Sequence, residues 1–342
     1  MKRSKKIALI AALVCVAAGA VISCCALASV RFDFERVNTM KFETKTYDVR
    51  ESFSNIRIQG TECSVRLLPS RDGACTVVCT EGENIAHTVA VERDTLTITR
   101  TDSRKWYQRI GVYWGEMSVT VYLPAPTYGE LFIQNASGDI SVPGGFTFSQ
   151  AQLQSTSGEI DCAAEIQGSL DLKTTSGDIS ASGHTAGALA VQSTSGDVEL
   201  SGVQALRLTV ETTSGEVTAR AAAAAGDARV KTVSGEIDLE RLSAQALCVR
   251  STSGDVELAD TVIAGALEIE TVSGEIDLER CDGESLRIKS TSGDVSGTLL
   301  TSKRFTTQTT SGTVQVPNTA SPGDGSCEVI TTSGDIRFRT AG

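Results

Sequence analysis

Thr175-Ser176-Gly177-Asp178-Ile179 is a phrase that returns, with small changes, through the second half of the chain, and it closes the chain as Thr332-Ser333-Gly334-Asp335-Ile336. Its glycines are Gly138, Gly158, Gly177, Gly196, Gly215, Gly235, Gly254, Gly274, Gly293, Gly312 and Gly334, spaced by 20, 19, 19, 19, 20, 19, 20, 19, 19 and 22 residues. A fixed period of this length over many copies specifies a stacked-repeat architecture. Aligned on the glycine, the copies resolve into columns. Position −7 runs Leu170, Leu189, Leu208, Ala228, Leu247, Leu267 and Leu286, and position −5 runs Leu172, Val191, Val210, Val230, Val249, Ile269 and Ile288. Position +2 is always Ile or Val, and +4 is mostly apolar. Two period-two strands flank a Ser-Gly corner, so the expected rung is strand, corner, strand and return turn. Identical columns stack only if register is kept at one turn per repeat. Each strand is therefore expected to pair in parallel with its equivalent one rung on, giving a rod of roughly 50 Å.

The corner carries small hydroxyls at −3, from Ser155 to Thr331, which suit capping of the turn's own backbone. The glycine supplies either a positive φ or room for close backbone approach. Position +1 is acidic in ten copies, with Thr313 the exception. Asp178, Asp197, Glu216, Glu236, Asp255, Glu275 and Asp294 would stack as a column of like charge. Two explanations stand: local capping by hydroxyls and N–H groups, or a row of Ca²⁺ ligands. Asp/Glu interchange favours the first. At −4, Glu211, Lys231, Arg250, Glu270 and Lys289 are placed for cross-rung pairing.

Upstream of the repeats, residues 1–6 form a basic tail with four positive charges, and 7–30 are uncharged. A run of that length spans a bilayer core, and the leading cations place the N-terminus inside. The expectation is a single-pass transmembrane anchor with residues 31–342 outside the cytoplasm. A cleaved signal peptide is the rival, as is a lipoprotein in which Val21-Ile22-Ser23-Cys24 is the processing box and Cys24 is lipidated. Residues 31–130 read as a β-rich cap that covers one end of a solenoid formed by 131–342. Its strand candidates are 46–50, 56–59, 63–68, 75–80, 87–92, 95–100, 117–123 and 131–134, with turns at Asp72-Gly73, Glu81-Gly82 and Arg93-Asp94.

One loop of the cap is chemically distinct. Arg104, Lys105, Trp106, Tyr107, Arg109, Tyr113 and Trp114 mix cations with both tryptophans of the protein. That mixture suits contact with a protein, a glycan or a membrane interface; the alternative is a hairpin folded back on the cap. Among the ten cysteines there is no Cys-x-x-Cys; Cys63, Cys75 and Cys79 could include one disulfide in an oxidising compartment, and the favoured reading is small buried hydrophobes. After Phe148 only Phe305 and Phe338 are aromatic, as a narrow interior requires. A net charge of −11 argues against nucleic acid as a partner. No hydrolase elbow, zinc-protease helix or P-loop is present, and uniform acids single out no catalytic pair. No enzyme, cofactor or resident metal is expected.

The Thr-Ser-Gly-Asp-Ile repeats, following a β-rich segment and an apolar leader, resemble the bacterial DUF4097 family, whose members carry an adhesin label. The resemblance spans about residues 42–340 and is most specific in phrases such as 175–179 and 332–336. It implies an all-β parallel solenoid and a link to the cell envelope, surface adhesion or envelope-stress signalling, with no catalytic residues. The function expected is a membrane-anchored extracytoplasmic binding, adhesion or scaffold module. A sensor acting through a membrane partner is the alternative, and a carbohydrate-active enzyme a remote one.

Overall fold

The computed structural model describes residues 16, 18, 19, 21, 41–106, 116–184, 187–318 and 325–341. The expected anchor over 7–30 and the Cys24 lipidation site lie outside the described residues, except for the helical positions Val16, Ala18, Gly19 and Val21. Among the described residues no helix is long and apolar enough to cross a membrane.

The period-19 columns stack as the sequence dictates. Leu170 pairs Leu189, Leu189 pairs Leu208, Leu208 pairs Ala228, Ala228 pairs Leu247, and Leu247 pairs Leu267, all in parallel ladders. The second strand keeps the same register, from Ile160↔Ile179 through Val198↔Val217 to Val256↔Ile276. Both sets of side chains are buried and form one continuous core. Each fully buried Leu or Ile contributes about 1.5–3 kcal/mol. The result is an all-β parallel solenoid in which all eleven Ser-Gly corners form one stack.

The return turn is more structured than expected. It contains a third, two-residue strand, as at Glu165–Ile166, Ala223–Ala224 and Ser243–Ala244. These pair in parallel from coil to coil, with Ala205, Ala224, Ala244 and Ile263 buried. Small apolar residues on alternate positions give the return its own inward column, so it pleats. The bend that leads into it is left-handed: Gly183, Gly202, Ala221, Arg241, Asp260 and Arg280, each six residues after a corner glycine, have positive φ.

The coil order departs from one rung on at the C-terminal end. Leu286 pairs Cys327, not Phe305, and Phe305 pairs Cys327 from the other side. The second strands agree: Val295 and Val314 both pair Ile336. The last coil in sequence (residues 325–340) is therefore inserted between its two predecessors, and the coil at 303–315 is outermost. The reason lies in composition. The inserted coil has Cys327, Val329, Ile336 and Phe338 buried, whereas the outer coil carries Thr307 in the −5 column and Thr313 in the acidic column. An end coil has only one neighbour, so polar substitutions cost least there. The extra residues before Gly334 allow the chain to double back.

The N-terminal end is closed the same way. Strands β1 (Phe42–Val49), β2 (Asn55–Thr61), β3 (Ser64–Pro69), β4 (Cys75–Gly82), β5 (Ile85–Glu92), β6 (Thr95–Asp102), β7 (Ser118–Leu123) and β8 (Thr127–Asn135) build the cap and the first coil. β2 lies between β6 and β8, and β3 between β7 and Ile140–Val142, all in parallel. The earliest coil is thus sandwiched between two later ones. Outside it, β5 pairs β6 and β4 bridges β7 to β1, all antiparallel. The exposed edge β1 carries Glu43 and Lys45, charges that discourage edge-to-edge pairing. The expected turns hold at Gly73, Arg93 and Asp94, which have positive φ. The one expected at Glu81-Gly82 does not: the reversal falls at Glu83-Asn84, with Asn84 at φ 64°, because Glu81 is drawn into the interior.

Candidate binding surfaces and a buried polar cluster

The Ser-Gly corner is built from its own atoms. The −3 hydroxyls of Ser155, Thr174, Ser193, Thr212 and Thr232 each accept the N–H of the corner glycine, at 2.9–3.2 Å. At Gly274, Gly293 and Gly334 that N–H instead donates to a serine carbonyl of the adjoining coil, leaving the buried hydroxyls of Thr271, Ser290 and Thr331 without hydrogen-bond partners; the Ser251 hydroxyl likewise has none. One N–H serves one of two competing acceptors. The glycine itself is required by proximity: a Cβ on Gly158, Gly177, Gly196, Gly215 or Gly235 would overlap the carbonyl oxygen of the preceding corner glycine.

The acidic column lies outside this corner. Asp178, Asp197, Glu216, Glu236, Asp255 and Glu275 are exposed and Asp294 is half-buried. Aspartates bridge coils: Asp178 accepts the N–H of Asp197, Asp197 that of Glu216, Asp255 that of Glu275 and Asp294 that of Asp335, at 2.8–2.9 Å. Asp335 accepts the N–H of Thr313, which holds its pKa below the usual aspartate value. Glutamates are one methylene too long for this bridge. Glu216 turns to the Thr218 hydroxyl, and some loss of solvation together with repulsion from Glu257, Glu216, Asp255 and Asp238 raises the Glu236 pKa. Among the described residues, three His, Cys, Asp or Glu donor atoms converge only at Cys79, Glu81 and His87, away from this column.

Next to the corner runs a groove of about 300 Å³ crossing several coils. Lys173, Gln192, Glu211 and Lys231 line one side, and Thr194, Thr213 and Val233 the other. All are exposed. The −4 column that supplies the first side also forms the expected cross-coil pair Arg250–Glu270 at 3.5 Å. Such surface pairs are worth about 0–1 kcal/mol.

Of the aromatic loop, Arg104, Lys105 and Trp106 are described; Tyr107, Arg109, Tyr113 and Trp114 lie outside the described residues. Arg104 forks onto Asp102 through Nε and one terminal nitrogen at 2.9 and 2.8 Å. Trp106, 75% exposed, is the most exposed large apolar side chain among the described residues.

The interior of the cap holds a cluster that the sequence does not single out. Glu81 and His87 are both buried between β4 and β5. Glu81 Oε1 accepts the backbone N–H of His87 at 2.6 Å and the Tyr47 hydroxyl at 3.2 Å, and lies 3.3 Å from His87 Nδ1. Lys45 Nζ is 2.7 Å from Oε2, a close ion pair. Cys63 Sγ is 3.9 Å from the other ring nitrogen, Nε2. Burial lowers the His87 pKa, with Glu81 opposing. Burial alone would raise that of Glu81, but Lys45 and the His87 N–H outweigh it and the net shift is downward. Burial pushes the Cys79 thiol up to about 12, with Glu81 and Cys63 adding to the effect. The signal available in sequence was the alternation Cys79-x-Glu81, which puts a thiol and a carboxylate on one face of a strand. The other members come from three separate segments.

No curated protein matches the chain. Solved structures similar to it include a "putative adhesin" from Bacteroides fragilis NCTC 9343, at 16% identity and TM-score 0.34, and a "putative lipid binding protein" from Parabacteroides distasonis ATCC 8503, at 14% identity and TM-score 0.40; each alignment covers 87% of this chain and 97% of the other. A "putative adhesin" from Parabacteroides merdae ATCC 43184 is 12% identical with TM-score 0.34, covering 88% and 98%. The family model described as Toastrack DUF4097 matches residues 53–243 and again 169–339, so that its two overlapping matches span the cap coils, the solenoid and the inserted last coil. The chain belongs to the Toastrack DUF4097 family.

Proposed function

We propose that this protein is a non-catalytic binding or adhesion module, held at the bacterial cell envelope by residues 7–30 with the solenoid outside the cytoplasm. The observation that carries the reading is the groove beside the corner stack. Lys173, Gln192, Glu211 and Lys231 come from successive coils and recur at one ~4.8 Å step, so the surface offers polar and charged groups at a regular spacing along its length. A repeating surface fits a repeating or extended ligand, such as a wall polymer or an extended protein segment. Trp106, exposed at the cap beside the Arg104–Asp102 fork, adds an aromatic contact of the kind enriched in recognition sites.

The test uses the full-length chain in detergent against isolated cell-wall material and against native membranes. Adhesion predicts saturable retention on wall material. Reversing the groove charges (Lys173→Glu with Lys231→Glu) should weaken it by roughly tenfold or more, the equivalent of about 1.4 kcal/mol. Removing the loop aromatics (Trp106→Ala with Trp114→Ala) should weaken it to a similar degree. Retention that neither pair of substitutions alters would sink the reading. Absence of retention, with a membrane protein co-purifying instead, would move the assignment to envelope sensing.

A further inference from the structure

The cap interior brings a thiol, an imidazole and a carboxylate together, with a second thiol, Cys63, beside the ring. Cys79 and Glu81 alternate on β4 and so face the same way, and His87 on β5 comes across to meet them. The donor atoms of the three all lie within 4.8 Å of one another, and all three residues are buried. Burying such groups costs free energy unless each is paired. Glu81 Oε2 is paired with the Lys45 ammonium at 2.7 Å, which places a cation at the edge of the cluster.

From this arrangement we propose that Cys79, Glu81 and His87 form a binding site for a zinc-class divalent metal ion, independent of the adhesion reading. A thiolate, an imidazole and a carboxylate together select a borderline-soft ion with tetrahedral preference over calcium or magnesium, which require oxygen ligands. Lys45 now occupies the electrostatic place of the ion. Its side chain is about half exposed, so it can swing into solvent when a dication arrives. A cavity of about 390 Å³, lined by Glu43, Lys45, Glu81, Asn84 and Ser103, opens beside Glu81 and supplies the route in. Cys63 is not within the converging trio. With its sulfur on Nε2, it holds the ring so that Nδ1, next to Glu81, meets the metal, which makes it a positioning residue. The bound ion would join β4 to β5 directly, and through the imidazole reach Cys63 at the corner of the first coil. Binding releases the Cys79 thiol proton to solvent and involves no change of oxidation state.

Cobalt titration of the full-length, metal-stripped chain tests this. One equivalent of Co²⁺ should give a thiolate-to-metal charge-transfer band with tetrahedral d–d bands, both bleached by Zn²⁺. Cys79→Ser should abolish the charge-transfer band, and His87→Ala should weaken binding at least 100-fold. Cys63→Ser should keep the band with affinity reduced roughly 10–100-fold, the usual cost of losing an outer partner. Cys75→Ser, a buried thiol outside the cluster, should behave as the parent. Circular dichroism identifies any variant that fails to fold, and the parent titration stands without the variants. No thiolate band from the folded parent chain, a band that survives Cys79→Ser in a folded variant, or equal loss in Cys75→Ser would each overturn the assignment.

Discussion

Gly196 and Gly202 stand six residues apart in one coil and are glycine for different reasons. Gly196 packs its α-carbon against the Gly177 carbonyl, with no room for a Cβ. Gly202 has open space around it but sits at φ 64°, where an L-residue is strained by roughly 1–2 kcal/mol. The substitutions should therefore separate in a denaturant titration. Gly202→Ala is expected to cost about 1 kcal/mol, since Ala221, Arg241, Asp260 and Arg280 already occupy the equivalent position. Gly196→Ala is expected to cost roughly 3 kcal/mol or more, because two coils must move apart to admit the methyl group. Equal costs would remove the proximity argument. Within one coil both are a small residue at a bend; across the coils they separate, since the corner is glycine in all eleven copies whereas the position six residues on also holds Ala, Arg and Asp.

At the scale of the element, the terminal coils behave unlike the interior ones. An interior coil is flanked by its neighbours in sequence, whereas the coil at 325–340 is held by 295–299 and 286–289 on one side and by 303–315 on the other. Lys303, buried at the outer coil's start, is fixed by Asp282 at 2.6 Å, and Phe305 packs on Phe338 with ring centroids 5.5 Å apart. Ending the chain after residue 318 removes the coil on which 303–315 rests. Limited proteolysis should then cut within 300–318 at a concentration of protease that leaves the parent chain intact. Resistance equal to the parent would mean that the outer coil re-docks directly on Leu286 and that the insertion is dispensable. Insertion at both ends has a physical consequence: residues 56–59 of β2 and 326–330 of the last coil are paired along both edges, so fraying should begin at the flanking edges rather than in these segments.

The whole molecule is a one-dimensional stack in which each coil touches only its spatial neighbours, so damage should remain local. Leu208, 1% exposed at the centre, is the clearest site for testing this. Leu208→Ala is expected to cost about 2–5 kcal/mol through lost burial and the cavity left behind. Hydrogen exchange should show faster opening in the coils around 189–228, with the cap and the 286–340 end close to parent rates. Uniform acceleration along the rod would instead indicate a single cooperative unit.

The strand positions, the inward columns and the parallel register were legible in the sequence, because a period-19 pattern with alternating apolar residues has one low-energy way to stack. The polar composition at Thr307 and Thr313 was also visible there. Its meaning was not, since a coil's neighbours are decided by which face finds the better partner, and that is a comparison between segments far apart in the chain. The buried cluster follows the same rule. Cys79 and Glu81 share a strand face by local geometry alone, but Lys45, Tyr47, Cys63 and His87 reach them only through the antiparallel flap of the cap. By itself the sequence determined the repeating coil, because that coil is specified by contacts one period apart. The order of the coils at both ends and the polar centre of the cap were decided by tertiary structure, where long-range pairing of edges and burial of charge outweigh chain order.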